Sequence, residues 1–214
     1  MKKLVASALL LAAILFPMFA AGSATAAPIS GLFNTDASLA ADGATDPNGL
    51  VNGGTPVVYN HPAYLTDPDA RFIAVTAGGG HSVNPNTFTL SFDLTGFDPS
   101  TASVSGFFAS DNWADAYLNG NLLASQPHAD VVSNFQTLTA FSASGIDFIS
   151  GINTFSFVVT DGATGPPSAL FVKFTNSSVR PAATAVPEPF TLSLFGAGLA
   201  GVAAVRRRKK AKEA

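Results

Sequence analysis

TFTLSFDL, residues 87–94, decides the reading of this chain. Phe88, Leu90, Phe92 and Leu94 alternate with Thr89, Ser91 and Asp93. Successive side chains of an extended strand point to opposite faces, so this pattern predicts a strand with one face in a core and the other in water. NTFSFVVT, residues 153–160, repeats it, with Phe155, Phe157 and Val159 inward and Thr154, Ser156 and Thr160 outward. Further out, runs rich in β-branched and aromatic residues predict strands at 29–33, 57–59, 71–76, 104–109, 114–118, 137–141 and 170–174. Asn119-Gly120 favours positive φ at both positions, which predicts a type I′ hairpin into residues 121–123. Residues 97–100 and 164–167, rich in Pro, Gly, Ser and Asp, read as loops. No stretch outside the termini carries a helical stripe. Nine short strands separated by turn signals predict an all-β fold, an antiparallel β-sandwich.

The chain of 214 residues is long enough for one ordinary domain and two short terminal signals. It contains no cysteine, which excludes disulfides and thiolate metal sites, so its core must supply the stability. Eighteen Phe provide the bulk.

Residues 1–26 read as a secretory signal peptide. Lys2 and Lys3 form its basic region, residues 4–16 an apolar stretch too short to span a bilayer comfortably, and Ala24-Thr25-Ala26 a small-residue cleavage site. The mature chain is expected to start near Ala27, after export by the Sec machinery and removal of the leader by signal peptidase. Export changes the charge reckoning. Residues 27–187 hold three cations, Arg71, Lys173 and Arg180, against 12 Asp and no Glu, a formal charge of −9 where the whole chain has −3. Such a domain repels nucleic acid and anionic lipid and attracts divalent cations; the plainer reading of the charge is solubility outside the cell.

The C-terminal stretch contains GAGLAG, with Gly196, Gly198 and Gly201 at the spacing of a dinucleotide-binding loop. That loop needs a strand before it, a helix after it and an acidic residue about 20 positions on. Only 13 residues follow Gly201, and those from Arg206 are mostly charged. The same letters suit a membrane. Residues 190–205, from Phe190 to Val205, carry no charge and give about 24 Å of helix, somewhat short of a hydrocarbon core of about 30 Å. Snorkelling by Arg206 covers the deficit, and Arg206, Arg207, Arg208, Lys209 and Lys210 stay on the cytoplasmic side, which predicts a transmembrane helix with the domain outside.

Val186-Pro187-Glu188-Pro189, followed by a short Gly-rich apolar helix and a basic end, resembles the PEP-CTERM protein-sorting signal of Gram-negative bacteria. The resemblance implies that an integral-membrane enzyme, exosortase, recognises residues 186–214 and cuts near the Pro-Glu-Pro. It also implies inner-membrane anchoring before processing, then a place at the cell surface or in the extracellular matrix, commonly in species making exopolysaccharide and biofilm. The two prolines hold the motif extended and stop the helix from running outward, presenting peptide bonds to a protease. Residues 176–185 lose the aromatics and read as a linker, which leaves 27–175 for the sandwich.

A second resemblance rests on FDLTGFDPSTASVSGFFASDNWADAYLNG, residues 92–120, on GINTFSFVVTDG, residues 151–162, and on LFNTDASLAADGATDPNGLV, residues 32–51. Together they are similar to the galactose-binding-like jelly roll often found in PEP-CTERM proteins. That fold serves many ligands and also purely structural roles. In similar jelly rolls a structural Ca²⁺ occurs, and Asp42 with Asp46, or Asp111 with Asp115, offer carboxylates for one, although neither pair has EF-hand spacing.

Catalytic motifs are weak. His61, His81 and His128 form no zinc-ligand arrangement, and GGGHSVN around Ser82 lacks the last glycine and the strand-to-helix context of a nucleophile elbow. The stretch SDNWADAYLNG is the expected working surface. An exposed Trp113, the only tryptophan, would be a platform for the C–H face of a sugar, with Asp111, Asn112 and Asn119 bonding its hydroxyls; a buried Trp113 would mean core. In the resembling family the Asp-Asn pair sits in a tight turn, which favours structure. Three readings stay open: a non-catalytic binding module for exopolysaccharide, a structural envelope or biofilm protein without a defined ligand, and, ranked last, a carbohydrate-active enzyme with two opposed carboxyl groups. No catalytic cofactor is expected.

Overall fold

The computed structural model describes residues 25–129, 133–162, 165–183 and 191–211. The leader up to residue 24, the Val186, Pro187, Glu188 and Pro189 motif and Phe190 lie outside the described residues.

Two five-stranded sheets face each other. The first runs in the order β1 (Leu50–Val51), β4 (Asn86–Asp93), β9 (Ile152–Thr160), β6 (Trp113–Leu118), β7 (Asn121–Ser125). The second runs β2 (Val57–Val58), β3 (Ile73–Ala74), β10 (Ala169–Pro181), β5 (Phe97–Asp111), β8 (Thr139–Ser144). Every pairing is antiparallel, so the chain is the all-β sandwich its alternation predicts.

The two strands that opened the sequence reading lie side by side, Phe88 opposite Phe157 and Leu90 opposite Phe155. Their inward rings meet those of the other sheet. Phe155 lies 5.8 Å from Phe141 and 5.3 Å from Phe174, and Phe108 lies 5.7 Å from Phe157, in tilted and edge-on arrangements that aromatic pairs prefer. Ala114 and Ala116 on β6 are fully buried beneath these rings; small residues leave room for large ones.

Four expectations change. Residues 29–33 are not a strand, because Gly31 takes a φ of 85° and breaks the extended run; a side chain there would also meet Cβ of Phe92 at 3.3 Å. Residues 97–100 belong to β5, with Pro99 in a bulge where the β5–β10 register shifts, so its missing N–H costs no ladder bond. The expected linker begins late. β10 continues to Pro181 because Arg180 and Pro181 still pair with Asp98 and Phe97. Finally, β1 is a strand the sequence does not announce, because Leu50 and Val51 sit alone between Gly49 and the Asn52-Gly53-Gly54 turn, with no alternating run around them. The Asn119-Gly120 turn stands as expected, with φ of 51° and 84°.

The register sorts the connections to two poles. At the loop pole lie the β3–β4, β5–β6 and β9–β10 links, as Ala169 pairs with both Asp111 and Ala74, and Trp113 with Thr160. At the opposite, tether pole lie the β4–β5, β6–β7 and β8–β9 turns and the end of β10. β10 has 13 residues, so the poles stand about 40 Å apart. The N-terminal segment enters at the tether pole. Ala27 exchanges both backbone bonds with Val179 at 2.8 Å, and Thr35 N donates to Val172 O at 3.0 Å further up the same strand.

Beyond the sandwich, α1 (Thr191–Lys210) holds Gly196, Gly198 and Gly201 inside the helix itself, where a Cβ on any of them would meet nothing within 4 Å. GAGLAG is therefore no strand-to-helix phosphate loop. Among the described residues no helix is long and apolar enough to cross a membrane, since the basic block occupies the last positions of α1.

Candidate functional site

The loop pole gathers the titratable and aromatic side chains. β5 ends at Asp111 and β6 begins at Trp113, with only Asn112 between them. Asp111 points inward and is buried, and its Oδ2 accepts a hydrogen bond from the Tyr64 hydroxyl at 2.6 Å. Burial pushes the Asp111 carboxyl above its ordinary range; the Tyr64 bond pulls it back and the charge of Asp161 pushes it up again. Burial first, and the bond to Asp111 second, raise the Tyr64 hydroxyl.

Asp161 follows β9 and is the second buried carboxylate. Its Oδ2 lies 2.7 Å from His81 Nε2, its side chain is 1% exposed, and Asn84 clamps its backbone from both sides. Asn112 is likewise engaged within the fold. Its Oδ1 accepts from Gly162 N at 2.6 Å and its carbonyl from Asn134 Nδ2 at 2.8 Å.

Trp113, Asp115 and Tyr117 form the outward row of β6, while Ala114, Ala116 and Leu118 face the core. Trp113 is half-buried and belongs to neither core cluster. The His128 ring stacks on it at 5.7 Å and 25°, and His128 Nε2 lies 3.0 Å from Asp115 Oδ1. This makes an indole–imidazole ledge with a carboxylate at its edge.

A cleft of about 380 Å³ opens over the second sheet, lined by Tyr59, Asn60, His61, Tyr64, Asp67 and Arg71 among others. Its rings touch one another, His61 to Tyr64 at 5.1 Å and Tyr59 to Tyr64 at 5.8 Å. Two bonds tie this wall to the turn at 134–136, Leu65 N to Phe135 O at 3.0 Å and Gln136 Nε2 to Ala63 O at 2.9 Å. Asn134 in turn holds Pro127 O at 3.0 Å, next to His128. The turn at 134–136 thus braces the cleft wall on one side and Pro127, next to His128, on the other. Arg71 points its Nε toward buried Asp36 at 3.9 Å, whereas Lys173 is committed to Asp67 and Asp69.

The sequence proposed Trp113, Asp111, Asn112 and Asn119 as one contact surface, and the structure does not bring them together. Asp111 and Asn112 are buried and satisfied internally. Asn119 sits at the tether pole, about 20 Å along β6, donating to Asp147 O and Asn153 Oδ1. The calcium candidates separate too. Asp111 faces inward and Asp115 outward, Asp42 accepts from Asn60 N, and Asp46 has one oxygen on Asp36 N and the other on Asn48 N. Among the described residues no three His, Asp or Glu groups stand where they could share a metal. The cleft went unread in the sequence. Its one signal is density: two of the chain's three tyrosines and one of its three histidines fall within residues 59–64.

Residues 185–209 match the PEP-CTERM protein-sorting motif, in agreement with the order of prolines, apolar run and basic block. A motif of that kind implies an exported, surface-directed chain. No curated protein matches the chain. Solved structures with a similar sandwich include a family 35 carbohydrate-binding module from an environmental isolate (13% identity, 73% of this chain and 97% of that one, TM-score 0.35). Others are a CBM36 module in complex with calcium and xylotriose (18%, 53% and 85%, 0.31) and the CBM36-1 domain of a multidomain xylanase from the hindgut metagenome of Trinervitermes trinervoides (11%, 75% and 98%, 0.30). At these TM-scores the likeness carries no argument about ligands.

Proposed function

We propose that this is an exported protein whose C-terminal signal parks it in the inner membrane until exosortase cuts near Pro187 to Pro189, and whose sandwich is a non-catalytic module that binds exopolysaccharide at the cell surface or in the matrix. The observation that carries the binding half is the loop pole. Half-buried Trp113 at the start of β6, half-buried Tyr59 just after β2, and exposed His61 and His128 on the loops after β2 and β7 lie there, and ring faces flanked by polar groups suit the alternating C–H and hydroxyl surface of a sugar. The proposed contacts are Trp113 with His128 and Asp115, and the cleft wall of Tyr59 and His61.

Non-catalysis is supported by the two carboxylates. Asp111 and Asp161 are buried and each already faces a donor, so neither reaches a glycosidic oxygen. The anchor is the uncharged run of residues 190–205, whose length in sequence is enough for about 24 Å of helix, with arginines snorkelling at the inner face. A purely structural role is the second reading. It is favoured by His128 covering one face of Trp113 and by the internal bonding of Asp111, Asn112 and Asn119.

Two measurements test the proposal. Intact masses from cells and medium are expected to show a chain beginning near Ala27 and a released form ending near Pro187 or Pro189; full-length protein in the membrane alone contradicts the processing. Retention on the producer's polysaccharide is expected to fall about tenfold, worth about 1.4 kcal/mol, in Trp113→Ala, with melting little changed. Equal retention in Trp113→Ala and in Tyr59→Ala would leave the structural reading. Melting with Ca²⁺ and with EGTA is expected to coincide, and a rise with Ca²⁺ would restore a structural ion to the loop of Asp42 and Asp46.

A further inference from the structure

Both chain ends leave the sandwich at the tether pole. Ala27 is bridged to Val179, and Ala182 N donates to Gly96 O at 2.9 Å in the β4–β5 turn. Around that exit the surface is apolar. Ile146 is 93% exposed, Ile152 60%, Leu122 58% and Ile149 51%, three aliphatic side chains along the β8–β9 link and the start of β9 and one just past the β6–β7 turn. Their positions are fixed by the backbone. Ile146 sits in a 3₁₀ turn (Gly145–Asp147) closed by reciprocal bonds between Ser144 and Asp147, Ile149 N donates to Asn153 Oδ1, and Ile152 opens β9 opposite Asp93. Single exposed aliphatics need no cause, but four around the exit of a chain are an interaction surface.

The acidic groups of this pole are turned onto their own loops: Asp93 onto Thr95, Asp98 onto Ser100 and Asp147 onto Ser144. Residues 183–190 separate the sandwich from α1, and eight residues reach at most about 28 Å even when fully extended. That is shorter than the body itself. The near pole, and not the far one, comes within reach of whatever α1 enters.

We infer that the tether pole, through Ile146, Ile149, Ile152 and Leu122, rests on the interfacial layer of a zwitterionic bilayer, so that before processing the domain is held against lipid with its loop pole outward. This rests on the anchoring reading above. The net negative charge of the domain selects neutral headgroups over anionic ones, and the aliphatic side chains supply the attraction.

The absence of cysteine gives a clean test, since one introduced thiol labels one site. The full chain is reconstituted in phosphatidylethanolamine and phosphatidylcholine vesicles with an environment-sensitive fluorophore on Ile146→Cys, or on Ser82→Cys at the exposed β3–β4 loop as control. The expected result is co-flotation of both, with the residue-146 probe blue-shifted and quenched by nitroxide lipids and the residue-82 probe in water. Ile149→Ser combined with Ile152→Ser is expected to return the residue-146 probe toward water without loss of flotation. Co-flotation with an aqueous residue-146 probe overturns the lipid contact while leaving the anchor intact. Failure to float overturns the anchor and this inference with it. A blue shift that grows with protein concentration and ignores nitroxide lipids would assign the pole to a second copy instead.

Discussion

The two poles of the sandwich are made by the same strands, yet they solve different problems. At the loop pole β5 and β9 run into buried carboxylates, Asp111 and Asp161, that are bonded to rings, and Tyr59, His61, Trp113 and His128 are left half-buried or exposed. At the tether pole the carboxylates close their own small turns, and bare aliphatic side chains reach water in place of rings. The difference teaches that a pole can be read by what its acids do. Acids buried under rings build a braced surface that holds its shape, whereas acids folded into turns merely shape the exits of the chain.

The comparison assumes one cooperative body, and the largest perturbation tests that. Phe155 lies in the shared core, against Phe92 of its own sheet and Phe141 and Phe174 of the other. Phe155→Ala is expected to lower stability by about 3–5 kcal/mol in a single urea transition; two transitions would mean the poles belong to separable units. Tyr64→Phe comes next. It strips the donor from a buried carboxylate and is expected to cost about 1–3 kcal/mol near neutral pH. The sign of its pH dependence follows from Asp111. Its folded-state value is raised, so the folded protein binds the proton more tightly than the unfolded chain, and stability falls as pH rises from the ordinary carboxylate value through the raised one. The Tyr64 bond favours the charged form. The cost of Tyr64→Phe should therefore shrink as pH drops and Asp111 is protonated, and a cost independent of pH would remove the coupling.

At the tether pole Asn119→Ala is expected to cost roughly 1–2 kcal/mol, because alanine at a φ of 51° loses both the conformational tolerance and the bonds of asparagine. Polysaccharide retention should not change, since Asn119 stands at the wrong pole; a large loss would undo the division. The smallest effect belongs to His128→Ala, about 0.5 kcal/mol or less in melting free energy, because the His128–Asp115 pair is half in water. It uncovers the Trp113 face, so a gain or loss in retention without a change in stability sharpens the ledge.

The sheets were legible because their information is local. Alternation over eight residues gives β4 and β9 directly, and Asn119-Gly120 gives the hairpin. Residues 29–33 misled because one glycine with positive φ outweighs the apolar residues around it. Residues 97–100 misled because Pro and Asp signal a loop and a bulge with the same letters. The sorting signal was legible as an order of three features at one end. Of the four residues read as one surface, only Trp113 is partly exposed at the loop pole and not taken up by side-chain bonds within the fold. Asp111, Asn112 and Asn119 are near it in sequence, but successive side chains of a strand point to opposite faces and its two ends lie at different poles, so these neighbours in the chain meet Tyr64, the β9–β10 link and the far turn. The cleft depends on contacts between 59–72 and 111–136, and no local pattern announces those.

The bridge between Ala27 and Val179 sets a timetable. The first residues of the folded body dock on its last strand, with partners as far apart as Thr35 and Val172, and that strand is the middle one of the second sheet, so the sheet cannot close until it has arrived. A chain threading through a narrow channel benefits from such a lock, because it stays unfinished, and therefore pliable, until almost all of it has crossed.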